Sequence, residues 1–238
     1  MKVISYNIHK GFSASNTKFI LKGIREAIKA TDADLVFLQE VVGHNQKHAE
    51  NLEEWPTQPQ FEFLADTVWS HYAYGRNAIY TSANHGNAIL SKYPILSWEN
   101  IDVSSHPLEK RGILHAVIEI PDSRDPEPLH LLCIHFGLFE FSRQQQLQML
   151  AERIKSAVPK NAPLIVGGDF NDWRERASDY LLQEIGLEEA YFTYRGKHAR
   201  TYPAILPLFH MYRIYFRGLE VKDAKVFRDR TLRKLSDH

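Results

Sequence analysis

The sequence has one cysteine, Cys133, in 238 residues. An intramolecular disulfide is thereby excluded, and a thiolate metal cluster is not expected. Charge of one sign is also missing, because 29 basic residues balance 29 acidic ones. Proteins that grip nucleic acid without regard to sequence usually need a basic excess, so that reading is weakened, although a local basic patch stays open. No apolar run approaches the roughly 20 residues of a membrane-spanning helix, so stable membrane insertion is not expected. Met1-Lys2 leads directly into Val3-Ile4-Ser5-Tyr6. No export signal is therefore expected ahead of the fold, which points to the cytoplasm. What remains is an ordinary soluble composition, 44% hydrophobic and 24% charged, with 12 histidines. The length allows one large domain or two small ones.

Short apolar runs ending in polar residues recur along the chain. Lys2 to Tyr6 reads as a strand ending at Asn7, and Leu35 to Leu38 as a buried strand ending in Gln39-Glu40. Between them, Ser15 or Asn16 is expected to cap a helix running to about Ala30, with Ile20, Ile24, Ala27 and Ile28 on one stripe. Residues 43 to 85 read as loops with short elements at Phe61 to Leu64 and Asn77 to Tyr80. Gly86 to Ser91 reads as a strand, followed by a turn at Pro94 and a further strand. Gly112 to Ile120 should pair with Leu129 to His135 across a Pro- and Asp-rich turn. Ser142 and Gln145 form a capping box for a helix with Leu147, Leu150, Ala151, Ile154 and Val158 on its apolar face, stopped by Pro159.

Leu164 to Val166 is a β-branched run bounded by Pro163 and Gly167-Gly168, after which come Asp169 and Asn171. If that segment stays extended, the two polar side chains project to one side. Tyr180 to Ile185 should be helical and end at Gly186. Arg213 to Phe216 and Val221 to Phe227 are expected strands. Strands of both kinds, patterned helices and no low-complexity linker argue for one α+β domain over residues 1–238.

The polar residues just past the apolar runs are Asn7, Glu40, His135, Asp169 with Asn171, and Asp237 with His238. Taken singly, each has a plainer role: loop Asn and Asp make turns, Glu40 suits a solvated strand end, and a lone histidine is usually structural. Taken together, carboxylates with an amide carbonyl are hard oxygen donors suited to Mg²⁺ or Mn²⁺ and poorly suited to zinc. Histidine exchanges protons with phosphoryl oxygens near neutral pH, so hydrolysis of a phosphoester fits the set.

These residues, in Ile4-Ser5-Tyr6-Asn7, Leu35-Val36-Phe37-Leu38-Gln39-Glu40, Gly86-Asn87-Ala88-Ile89-Leu90-Ser91, Ile134-His135-Phe136-Gly137-Leu138, Gly168-Asp169-Phe170-Asn171 and Ser236-Asp237-His238, run in one order from end to end. In that order the chain resembles the endonuclease/exonuclease/phosphatase superfamily, the DNase I-like fold of magnesium-dependent phosphoesterases. Asn7 to Phe12 and Glu109 to Gly112 bring it nearest to bacterial members with an Asn-Ile-His-Lys-Gly-Phe start. The resemblance implies a four-layer α/β/β/α sandwich of two facing, mainly antiparallel sheets. It implies that Glu40, with Asn7 and Asp237, holds Mg²⁺ or Mn²⁺. It further implies that Asp169, assisted by Asn171, orients or deprotonates the attacking water, and that His135 and His238 contact the scissile phosphate. Arg111 and Asn87 are candidates for substrate contact, with a strand-edge surface charge as the plainer reading of Arg111. The implied protein is a monomeric phosphodiesterase whose substrate is a nucleic acid, a phospholipid headgroup or a small phosphodiester. Trp55, Trp69, Trp98 and Trp173 could serve a lipid or a base, although tryptophan is more often core.

Two departures stand out. The family carries an Asp before Arg-Ile-Tyr in the late strand, where it pairs with the histidine of Ser-Asp-His; this chain has Tyr212. A tyrosine brings no formal charge near neutral pH, so slower turnover is expected than in a Tyr212→Asp variant. The family also continues past Ser-Asp-His into a final strand, so that strand is expected to be missing and His238 to sit at a frayed end. Both departures favour a rival reading, a binding protein that keeps the fold and has weakened or lost turnover.

Overall fold

The computed structural model describes residues 1–13, 15–121, 127–202 and 208–227. Asp237 and His238 lie outside these residues, as does most of the turn expected between Pro121 and Pro128. The described elements are β1 (Val3–Asn7), a 3₁₀ turn (His9–Gly11), α1 (Leu21–Ala30), β2 (Leu35–Asn45), α2 (Gln46–Asn51), α3 (Gln60–Ala65), β3 (His71–Tyr80), β4 (Ala83–Ser91), β5 (Ile95–Asp102), β6 (Gly112–Ile118), β7 (Leu129–His135), α4 (Glu140–Ala157), β8 (Leu164–Asp169), α5 (Arg176–Ile185), β9 (Glu188–Glu189), α6 (Ala190–Arg195) and β10 (Tyr212–Arg217).

Among the described residues, the strands form a four-stranded sheet in the order β1-β2-β4-β3 and a six-stranded sheet in the order β5-β6-β7-β8-β10-β9. Only β1/β2 and β7/β8 pair in parallel; the other pairs are antiparallel. Three clusters fill the space between layers. Leu35, Phe37 and Ile89 of the first sheet interdigitate with Leu114, Leu131, Cys133 and Ile165 of the second. Val36, Leu38 and Leu90, on the other face of the first sheet, pack on Ile24 and Ile28 of α1 and Leu64 of α3. Leu132, Ile134 and Val166 meet Leu150 and Ile154 of α4 and Leu181 of α5. The alternation of strand side chains between faces thus builds the expected helix, sheet, sheet, helix sandwich.

Several expectations are corrected. The first helix begins at Leu21, not near Ser15, because Phe12 and Phe19 bridge and Ile20 N–H donates to Gly11 C=O, closing a loop ahead of it. Helix α4 begins at Glu140. Ser142 is therefore inside that helix, where its hydroxyl meets Ser105 at 2.6 Å, and no capping box forms. Phe61 to Leu64 belongs to a helix, and Asn77 to Tyr80 is the end of the longer strand β3. Residues 221–227 form no strand, because β9 already occupies the open edge of β10. Trp69 is not exposed: its indole N–H donates to Ala33 C=O at 3.0 Å within the core.

Candidate active site

Three neighbouring strands of the larger sheet carry three polar side chains in a row. His135 closes β7 and stands level with Asp169, which closes β8, and Asp169 stands level with Tyr212, which opens β10. His135 Nε2 lies 3.9 Å from Asp169 Oδ2. The close pairing of β7 and β8 rests on Gly168, where an added Cβ would fall 2.0 Å from Ile134 C=O. The segment after Asp169 does not stay extended: Asn171 turns left-handed at φ 48. Its N–H then donates to Asp169 Oδ1 at 3.0 Å, and its side-chain amide donates to Phe136 C=O at 2.9 Å. Asn171 therefore orients Asp169 and locks the β7 exit, and does not project beside it.

The smaller sheet supplies Asn7 and Glu40. Parallel pairing of β1 and β2 sets Asn7 level with Gln39, one residue before Glu40. Strand β2 does not end at Glu40 as the sequence suggested. It continues to Asn45 through a bulge between Leu38 and Val41, in which Glu40 takes φ 56. Bulges re-aim a side chain, and this one turns Glu40 towards Asn7. Asn7 Nδ2 donates to Glu40 Oε1 at 3.2 Å, while Asn7 Oδ1 accepts from His9 N–H at 2.9 Å.

Electrostatics joins the two sheets. Burial alone would raise the Glu40 carboxyl, but His135, Lys10, the Asn7 hydrogen bond and His9 outweigh it and hold it at about 2. Glu40 is thus ionised across the neutral range. Tyr212 is half-buried with an enclosed hydroxyl. Burial first, then the charge and hydrogen bond of Asp169 and the charge of Glu40, push its phenol well up, with a hydrogen bond to Asn7 opposing. Asn7, Glu40, His135, Asp169, Asn171 and Tyr212 therefore meet at one end of the sandwich.

Asn87 and Arg111 border the same end. The Asn87 amide, buried on β4, donates across the sheets to Gly112 C=O at 3.0 Å and Cys133 C=O at 3.3 Å. Its Oδ1 and the Arg111 Nε are buried polar atoms with no hydrogen-bond partner among the described residues, as expected of groups awaiting a ligand or water. Cys133 is fully buried, accepts from Gln39 Nε2 at 3.4 Å, and has its thiol pushed up to about 12 by burial.

Sequence reasoning missed Lys10, His85 and Gln60. Lys10 Nζ stands 3.7 Å from Glu40 Oε2. Burial brings His85 down to about 4, with Lys10, Glu40 and Arg111 close enough to act on it. His85 lies two residues from Asn87 on one strand, a spacing that puts both on one face and was the available signal. Nothing in the sequence distinguished Gln60, whose role depends on contacts 18 and 50 residues away.

Comparison with known proteins gives the family and the fold. The sequence profile of the Endonuclease/Exonuclease/phosphatase family matches residues 4–238. The chain belongs to this family. It is 46% identical over 237 residues to the protein YbhP of Escherichia coli K12, covering 100% of this chain and 92% of that one. Among solved structures, the fold is similar to the catalytic domain of human nocturnin with bound sulfate, at TM-score 0.72, 18% identity and coverage of 100% and 90%. It is also similar to zebrafish (D. rerio) TDP2 complexed with a single-strand DNA product, at TM-score 0.66, 18% identity and coverage of 100% and 95%. Membership places the chain in a phosphoesterase superfamily. No helix among the described residues is long and apolar enough to cross a membrane.

The donor set fits a hard divalent cation. Magnesium is typically held by one or two carboxylates and keeps waters for its other positions, and Glu40 is an ionised carboxylate beside an amide. Among the described residues no three His, Cys, Asp or Glu gather to hold a metal by themselves.

Proposed function

We propose that the chain is a Mg²⁺- or Mn²⁺-dependent phosphodiesterase in which water attacks phosphorus. The observation that carries this reading is the meeting of ionised Glu40 from one sheet with the in-register His135–Asp169 pair of the other. Glu40 and Asn7, with Asp237, would hold the metal. When bound, such a metal shields phosphate charge, stabilises the leaving oxygen and eases formation of hydroxide. Asp169, fixed by Asn171 N–H, accepts a proton from the attacking water. His135, and His238 outside the described residues, donate to phosphoryl oxygens as charge builds there. Arg111 donates to the ester's phosphoryl oxygens, and Asn87 Oδ1 accepts from a hydroxyl of the substrate.

The substrate is a nucleic acid, a phospholipid headgroup or a small phosphodiester, and a panel of single-stranded and abasic DNA, phosphatidyl lipids and inositol phosphates sorts these. The direct test is hydrolysis of bis-p-nitrophenyl phosphate with Mn²⁺ by the native chain and by Glu40→Ala and Asp169→Ala. Each substitution is expected to lower turnover by about a hundredfold or more. Hydrolysis that survives both rejects the site. Tyr212, pressed against Asp169, favours the second reading, a binding protein of the same fold; a native chain that hydrolyses nothing on the panel would support it.

A further inference from the structure

Lys10 stands in a backbone state that a surface lysine has no reason to adopt. The turn His9–Gly11 places Lys10 at φ 56, ψ 19, beside His9 at φ 47. Non-glycine residues in this region are strained and persist only where the surroundings over-determine them. Here they do. Buried Gln60 donates through Nε2 to Lys10 C=O at 2.8 Å and accepts through Oε1 from Val42 N–H at 2.9 Å. One side chain thus ties the Lys10 turn to the strand just past the Glu40 bulge. An added Cβ at Gly11 would meet Phe19 at 2.8 Å and Gln60 at 3.0 Å, so the turn is also packed shut.

The reward for this strain inside the protein is small. Lys10 Nζ lies 3.7 Å from Glu40 Oε2, too far for a hydrogen bond, and its side chain is 46% exposed. Exposed ion pairs of that kind add little to stability. The arrangement instead suspends a cation directly over the carboxylate that the proposed metal would use. With a metal held on Glu40, the ammonium would lose its counter-ion and be left to pair with the substrate's phosphate.

We propose that Lys10 is a substrate-binding residue, whose ammonium exchanges Glu40 for a non-bridging phosphate oxygen when metal and phosphate enter the site. The inference rests on the phosphoester reading above. It makes two effects of opposite sign: Lys10 opposes the metal and favours the phosphate.

The experiment is calorimetric titration of the full chain with Mn²⁺, and of the Mn²⁺-loaded chain with inorganic phosphate, for the native protein, Lys10→Met and Lys10→Arg. Lys10→Met keeps the stem and removes the charge. It is expected to bind Mn²⁺ about threefold more tightly and phosphate roughly tenfold more weakly, while Lys10→Arg restores both towards native values. A merely structural Lys10 would weaken both ligands together, and that outcome overturns the proposal. Unchanged phosphate affinity in Lys10→Met overturns it as well, as does a native chain that binds neither probe. Failure of the phosphodiesterase reading shows separately, as intact Mn²⁺ and phosphate binding without hydrolysis of any diester.

Discussion

Tyr212 sits between Asp169, which accepts its hydrogen bond, and Asn7, which shares the other side of its hydroxyl. From the residue types alone, its partner was expected to be His238, and an aspartate in its place was expected to speed turnover. The position beside Asp169 and Glu40 reverses the balance for stability, because Tyr212→Asp brings a third carboxylate against two others. That variant is expected to melt at lower temperature than the native chain, measured by circular dichroism; an unchanged or higher Tm would show that the phenol is not pressed on Asp169. Tyr212→Phe removes the donor and should cost about 1–3 kcal/mol in urea unfolding. The candidates Asn7, Glu40, His135 and Asp169 were legible because each follows an apolar run. Lys10 was not, since a cation next to a strand carries no sign of which carboxylate it faces, and His85 was signalled only by its spacing from Asn87 on one strand.

At the scale of elements, the pairing of β7 with β8 sets the spacing of His135 and Asp169, and it depends on one missing side chain. Gly168 has φ 154, and any Cβ there would strike the Ile134 backbone. Gly168→Ala should therefore cost about 1–3 kcal/mol, read as a lower urea midpoint. Hydrolysis should fall further than the lost stability explains, since the pair is pushed apart; full activity in the folded variant would refute this. Gln60→Leu leaves Lys10 C=O and Val42 N–H unpaired and should cost about 1–3 kcal/mol for each buried group. The buried strands β1, β6, β7, β8 and β10 were legible from β-branched runs and turn residues, whereas most of β3 and the short β9 were not. The β2 bulge was hidden, because its cause is pairing with β4, which lies outside any local window of sequence. The first helix was read too long for a similar reason, since the Phe12–Phe19 bridge competes for its start.

Across the whole molecule, acid sensitivity has an origin away from the site. His115 on β6 and His130 on β7 are buried and joined, Nε2 to Nδ1, at 2.9 Å. Arg153 of α4 donates to His115 Nδ1 at 3.0 and 3.2 Å and also pairs with Glu99, so His115 must accept there and carry its proton on Nε2. Burial, with His130 adding repulsion, takes His115 from 6.5 to about 4; burial with Arg217 lowers His130, and Glu127 opposes. The unfolded chain therefore takes up protons before the folded one does. Stability from this pair is undiminished above about pH 6.5 and falls as pH drops towards 4. The urea midpoint should decline over that window in the native chain and decline less in His115→Gln; equal slopes would refute the assignment. The layered architecture was legible as a whole because its motifs keep one order along the chain, whereas this histidine pair was invisible, lying on two strands whose register no spacing revealed.

The isolation of Cys133 has a practical side. Its thiol is fully buried between the sheets, and at about 12 it yields almost no thiolate at neutral pH. Alkylating and oxidising reagents should pass the folded protein by. A cysteine introduced at an exposed position such as Phe139, 69% exposed near the rim of the site, would then be the one reactive handle for a spectroscopic label. The native protein offers a silent background on which motion at that rim can be watched, with no residue needing removal first.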